Sequence, residues 1–148
     1  GPERLVGLGF RYWMLGSQNG ELDQFERAWR LFSGECGVAG GRIALEHLAD
    51  WVHCVGRTSK RPIKVAAPSF TELCTDERLA VSMIAACQHR TCPALRACAF
   101  ALIEHSTIDG VVDHAQGFAD TLMSLDQVLP HASIVAAKVG RAANRLPA

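Results

Sequence analysis

A chain of 148 residues fits a single domain that buries roughly two-thirds of its unfolded surface, so it needs neither disulfides nor a metal to fold. Hydrophobic residues make up 49% of it and charged residues 20%, which excludes wholesale disorder. Fifteen basic residues balance fifteen acidic ones, and this zero net charge argues against a dedicated nucleic-acid binder, which carries a basic excess to release phosphate counterions.

Gly1-Pro2 has the form of the scar that a site-specific protease leaves when a tag is removed, which places the native start elsewhere. Residues 5–15 mix glycines with Phe10, Tyr12, Trp13 and Met14, a short aromatic segment expected to pack across the domain and to end at Ser17-Gln18-Asn19-Gly20. Over 21–35 the apolar residues Leu22, Phe25, Trp29 and Phe32, followed by Cys36, share one helical face, with Glu21 and Asp23 at its positive end. Gly37, Gly40 and Gly41 then break the chain before a third helix whose inward stripe is Ala44, Leu48, Trp51, Val52 and Val55. Gly56 and a basic loop close it.

Between Pro62 and Phe70 two prolines bracket Ile63 and Val65, which reads as an extended connector. Thr75 is the expected N-cap of a helix over 76–87, with Asp76 and Glu77 in its first turn, and Pro93 suits the first position of a helix over 93–105. Residues 79–103 are almost uninterrupted small and apolar side chains, broken only at Gln88-His89-Arg90-Thr91. A helix apolar on nearly every side is buried on nearly every side, so this pair reads as the central hairpin of the domain. A last stripe, Val111, Ala115, Phe118, Leu122, Leu125 and Leu129, runs to a stop at Pro130, and the basic tail over 131–148 either extends as a helix or frays. The reading is an all-α fold: one domain, 1–148, of five or six helices around the hairpin, with no run approaching the roughly 20 apolar residues of a membrane span.

The six cysteines, at 36, 54, 74, 87, 92 and 98, fall mostly on apolar helix faces, where a free thiol behaves as a small hydrophobe; this points to a reducing cytoplasm. The sharpest constellation is Cys87, His89 and Cys92 with Cys98, soft ligands suited to zinc or an iron–sulfur cluster. Its spacing is a weakness, since no second short cysteine pair exists and Cys92 and Cys98 lie about 120° apart around an ideal helix. Cys92, just before Pro93, reads as an N-cap thiol activated by the helix dipole. Small core residues are the plainer account, and no cofactor is expected.

Arg57, Lys60, Arg61 and Lys64 form a positive loop without an acidic neighbour in sequence, and Lys138, Arg141 and Arg145 give the tail the same sign. The loop suits an acidic partner or phosphate, or simply complements the C-terminal end of the third helix. A helix exposing Ala94, Leu95, Ala97 and Phe100 has no side chains for base edges, so DNA reading by the hairpin is not favoured. The run Gly37–Gly41 follows a helix and lacks the Gly-Lys-Ser/Thr ending of a phosphate loop. His47, His53, His105 and His114 have carboxylate neighbours in sequence but no nucleophile or metal motif around them. Phe10, Tyr12, Trp13, Trp29 and Trp51 are expected in core and interface.

The stretch from Leu79 to His89, its continuation from Cys92 to Leu102, and Phe10-Arg11-Tyr12-Trp13-Met14 resemble small uncharacterised all-helical proteins of alphaproteobacteria. The resemblance implies a bacterial cytoplasmic origin and carries over no activity and no site residue. Absence of a catalytic motif and the stock of amphipathic helices lead to a non-enzymatic regulatory or adaptor protein that binds another protein or a second copy of itself. Arg57, Lys60, Arg61 and Lys64 are its expected contacts. The alternatives are a thiol or metal sensor using Cys87, His89 and Cys92 with Cys74 or Cys98, and a weak nucleic-acid binder using the basic loop and tail.

Overall fold

The computed structural model describes residues 1–134. They form α1 (Pro2–Asn19), α2 (Leu22–Thr58), α3 (Thr75–Gln88), α4 (Cys92–Ile103) and α5 (Asp109–Ser124), with no strand among the described residues. α2 is bent at Gly37, so its parts over 22–36 and 38–58 behave as two helices and the bundle has six helical segments. α2 packs on α1 and α5, and α3 on α4, α5 and α1. The expected all-α domain forms around the 79–103 hairpin: α3 is buried on nearly every side, with Ala80, Met83, Ile84, Ala85 and Ala86 in one core with Ala99 and Leu102 of α4, whereas α4 buries one face and leaves Arg96 and Phe100 exposed.

Glycine is where local reading and structure part. Residues 5–15, expected to be a short packing segment, belong to the full helix α1, because Gly9 and Gly16 are notches for neighbouring rings and not breaks. A Cβ at Gly9 would stand 2.6 Å from the Phe32 ring, and one at Gly16 2.7 Å from Phe25. Of the three glycines expected to break the next helix only Gly37 does so. Its φ of 79° and ψ of 170° lie in a region essentially reserved for glycine. Gly41 stays helical and lets the two limbs of α2 touch backbone to backbone, a Cβ there lying 2.9 Å from the Phe32 carbonyl. The aromatic core then assembles across three helices, with Trp51 5.4 Å from Phe10 and 5.7 Å from Phe118 between ring centroids.

The connector between α2 and α3 is extended, as two prolines require, and is clasped to α3 by two adjacent carboxylates. Glu77 and Arg11 are both 0% exposed and form a bidentate pair, Nε to Oε2 and Nη2 to Oε1, each 2.9 Å. Arg11 also donates to the carbonyls of Phe70 and Glu72, while Glu77 accepts the N–H groups of Ala66 and Cys74 at 2.8 and 3.0 Å. A buried charge pair is tolerable only when its remaining donors and acceptors are satisfied, and here they are. Cys74, not Thr75, is therefore the N-cap residue of α3, with Glu77 reaching back to its N–H.

At the α3–α4 turn, Thr91 N–H donates to Ala86 O and Arg90 N–H to Cys87 O, a Schellman closure in which Arg90 takes the left-handed conformation at φ 55°. Thr91 is the N-cap of α4 and Cys92 its first residue, one position later than expected for the thiol. α5 ends at Ser124, well before Pro130, and Leu129 is buried in another way. The buried Gln88 amide donates to Gln127 O at 2.9 Å and accepts Leu129 N–H at 2.8 Å, so residues after α5 lie as a strap across the end of α3. Of the expected basic tail, 135–148 lies outside the described residues.

Candidate functional site

The four basic loop residues meet different fates. Arg61 is turned inward: Nη2 and Nη1 reach the Asp76 carboxylate at 2.6 and 3.1 Å, and Nε approaches Glu104 at 3.1 Å. The Asp76 hydrogen bond, against some burial and with help from Glu104, raises the guanidinium pKa still further. Arg61 thus has the acidic neighbours that the sequence did not show beside it, and its guanidinium anchors the connector to α3 and α4. Arg57, Lys60 and Lys64 keep exposed side chains, although the Lys60 N–H is tied to Ile103 O and the Lys64 N–H to Asp76.

This anchoring shapes a cleft of about 470 Å³. Met14, Ser17 and Gln18 enter it from the last turns of α1; Val52, His53, Gly56 and Arg57 from the last turns of α2; Ser59, Arg61, Pro62 and Ile63 from the connector. Gly20 closes α1 in the left-handed conformation by donating to Gly16 O at 2.9 Å, and Ser59 N–H closes α2 on Val55 O at 2.9 Å, so both helices stop where the cleft begins. Gln18 ties α1 to the connector through Ile63 O at 3.1 Å, and the Ser59 hydroxyl donates to Arg61 O at 2.6 Å. A Cβ placed on Gly56 would meet nothing within 4 Å. The lining joins cations and hydroxyls to a small apolar floor, and among the described residues no carboxylate lines it.

The cysteine and histidine set comes apart. Cys87 is buried and its thiol is pushed up to about 12, chiefly by burial, then by Asp120 and Cys92. Cys98 is buried with Sγ 3.3 Å from the Ser82 hydroxyl, while Cys92 is exposed at the start of α4. His89 spends Nε2–H on Leu129 O at 2.7 Å and sets its ring edge against His131. Among the described residues no three His, Cys, Asp or Glu side chains are placed to hold a metal ion, so Cys87, His89, Cys92 and Cys98 do not form the expected ligand set. What the turn does instead is hold the strap, through Gln88 and His89. That role, like the pairing of Arg11 with Glu77, joins residues far apart in sequence and left no local signal beyond a polar residue amid apolar ones.

Among the described residues no helix is long and apolar enough to cross a membrane. The chain matches no protein-family model, no curated protein and no solved structure at a significant level.

Proposed function

We propose that this is a small non-enzymatic regulatory or adaptor protein that works by binding another protein at the Gly56 cleft. The observation that carries the reading is the cleft itself: a concave, partly apolar surface with exposed Arg57 at its edge and Lys60 and Lys64 beside it in the chain, held in shape by a buried ion pair and a second, partly buried one. Clefts of this size are those that bind small ligands, and one at the surface also receives a short segment of a partner chain. The strongest ion pairs, Arg11–Glu77 and Arg61–Asp76, are spent on shape, which is what a scaffold requires.

A photo-crosslinking amino acid at position 56 tests this against the same group at position 34, which is also a helical glycine facing open space. In an extract of the source cells, a discrete adduct at 56 that is absent at 34 and abolished by Arg57→Glu is the expected result. No adduct, or the same adducts from both positions, refutes the reading.

A further inference from the structure

α4 has the composition of an interior helix and is buried on one side only. Arg96 is the only charged residue among its 12, and the rest are Cys, Pro, Ala, Leu, Phe and Ile. A helix of that composition is normally covered all round. Here Leu95, Cys98, Ala99 and Leu102 face the core, while Pro93, Arg96 and Phe100 are exposed, Phe100 by 46%, and Ala97 and Ala101 are half-buried. α5 shows how this protein builds a side that faces water, since it turns Asp109, Asp113, His114 and Asp120 outward. The outer side of α4 has instead the make-up of an interface centre, an aromatic ring among small apolar residues with little charge.

One exposed phenylalanine needs no explanation, but the order of the residues around it says what covers it. Pro93, Arg96, Ala97, Phe100 and Glu104 recur at spacings of three and four and so share one face. Arg96 stands one turn before Phe100, and Glu104, the C-cap, one turn after, each roughly 6 Å away along the axis. Such a face is complementary to its own reverse. A two-fold axis at Phe100 lays α4 antiparallel on α4 of a second copy and brings each Arg96 level with Glu104 of the other copy. It sets the two Phe100 rings together, with Ala97 and Ala101 small enough to let the helix axes approach to about 8 Å. A parallel pairing would set Arg96 against Arg96 and Glu104 against Glu104. The side chains of Arg96 and Glu104 are 57% and 59% exposed, although Arg96 lies 3.6 Å from Asp109 and Glu104 3.1 Å from Arg61. Exposed pairs of this kind are worth too little to hold either charge back.

We propose that this face is a homodimer interface, with α4 packed antiparallel on α4 of a second copy about a two-fold axis at Phe100. The dimer is independent of the Gly56 cleft, and either can fail without the other. One face of a 12-residue helix covers less than the roughly 800 Å² per partner of a standard complex, so the dimer is weak, with a Kd on the order of 10 µM.

Sedimentation equilibrium of the whole chain from about 1 µM to about 1 mM, a range that brackets such a Kd, tests it. The parent passes from monomer to dimer and no further. Phe100→Glu raises the Kd about tenfold or more, while its melting temperature, compared where the parent is monomeric, stays that of the parent. Arg96→Glu and Glu104→Arg each weaken self-association, because each sets like charges together at both ends of the interface. Mixed, the two variants associate about tenfold or more tighter than either alone, since every 96–104 contact is again of opposite sign. Loss of the Asp109 or Arg61 contact within a chain does not produce that rescue on mixing. A parent that stays monomeric throughout the range, assembly beyond a dimer, a Kd unchanged in Phe100→Glu, or a mixture no tighter than its components overturns the proposal. So does a monomer that Phe100→Glu destabilises, which would assign the face to the chain's own interior.

Discussion

Glu77→Gln is the most searching perturbation of this fold, because one carboxylate closes contacts from three segments. Its oxygens accept two bonds from Arg11, one from Ala66 N–H and one from Cys74 N–H, and both members of the pair are 0% exposed. The amide keeps one acceptor but turns a donor toward the groups that faced the other oxygen, and it leaves the Arg11 charge buried without its counterion. Removing one partner of a buried pair costs about 3–5 kcal/mol, against a total stability of about 5–15 kcal/mol for a domain. For a chain of this size that lowers the melting temperature by roughly 10 °C or more. Urea and thermal unfolding followed by circular dichroism measure it, with Arg11→Met and the Arg11→Met/Glu77→Leu double variant completing a cycle. The double variant recovers part of the loss, since the stranded charge is gone, but not all, because the carbonyls of Phe70 and Glu72 and the N–H groups of Ala66 and Cys74 lose their partners. A loss under about 1 kcal/mol for Glu77→Gln would show that the pair is not desolvated in the way its burial implies.

The same carboxylate sets an acid limit. Burial pushes Glu77 up, but Arg11 and the N–H groups of Cys74 and Ala66 outweigh it and hold the folded-state pKa below the usual carboxylate value. Its stabilisation is fully present above the unfolded value of about 4.3 and is lost as pH falls through the lower folded value, so the urea midpoint drops below about pH 4 in the parent and less steeply in Glu77→Gln. Two helical glycines respond with opposite sign. Gly34→Ala enters open space and gains up to about 1 kcal/mol, whereas Gly41→Ala drives a Cβ into the Phe32 backbone and loses about 1–3 kcal/mol; equal melting shifts would refute the close crossing at Gly41. Gln88→Ala strands Leu129 N–H and Gln127 O and costs about 2–3 kcal/mol, with Leu129 amide exchange accelerated more than that of α3; unchanged Leu129 exchange would mean that the strap is held elsewhere. With a thiol reagent near neutral pH, Cys92 is modified in the native protein, whereas Cys87, its thiol pushed up to about 12, is modified only on unfolding; native labelling of Cys87 would contradict its burial.

Most of the helices were legible because their signals are local. The 3.6-residue stripes, the acidic first turn at Asp76 and Glu77 and the near-continuous apolar run over 79–103 lie within a few turns of the residues they govern. The helix starts at Thr75 and Cys92 were each misplaced by one residue, whereas the end at Pro130 was missed by several because a distant group, Gln88, binds Leu129 where the helix was expected to continue. The candidate site was half visible: a run of four basic residues marked the loop, but nothing in the spacing told Arg61, which pairs with Asp76 15 residues on, from Arg57, which stays exposed.

Composition and periodicity by themselves determined that this chain is all-helical, that it closes over the 79–103 hairpin and that positive charge gathers after α2. Only the tertiary structure decided that Gly9, Gly16 and Gly41 are contact points and Gly37 alone the bend, that Arg11 finds Glu77 across 66 residues, and that Cys87, His89, Cys92 and Cys98 go separate ways. The physical reason is range. A helix is written in neighbours three and four apart, whereas the role of a glycine, a charge or a thiol depends on what the folded chain brings against it.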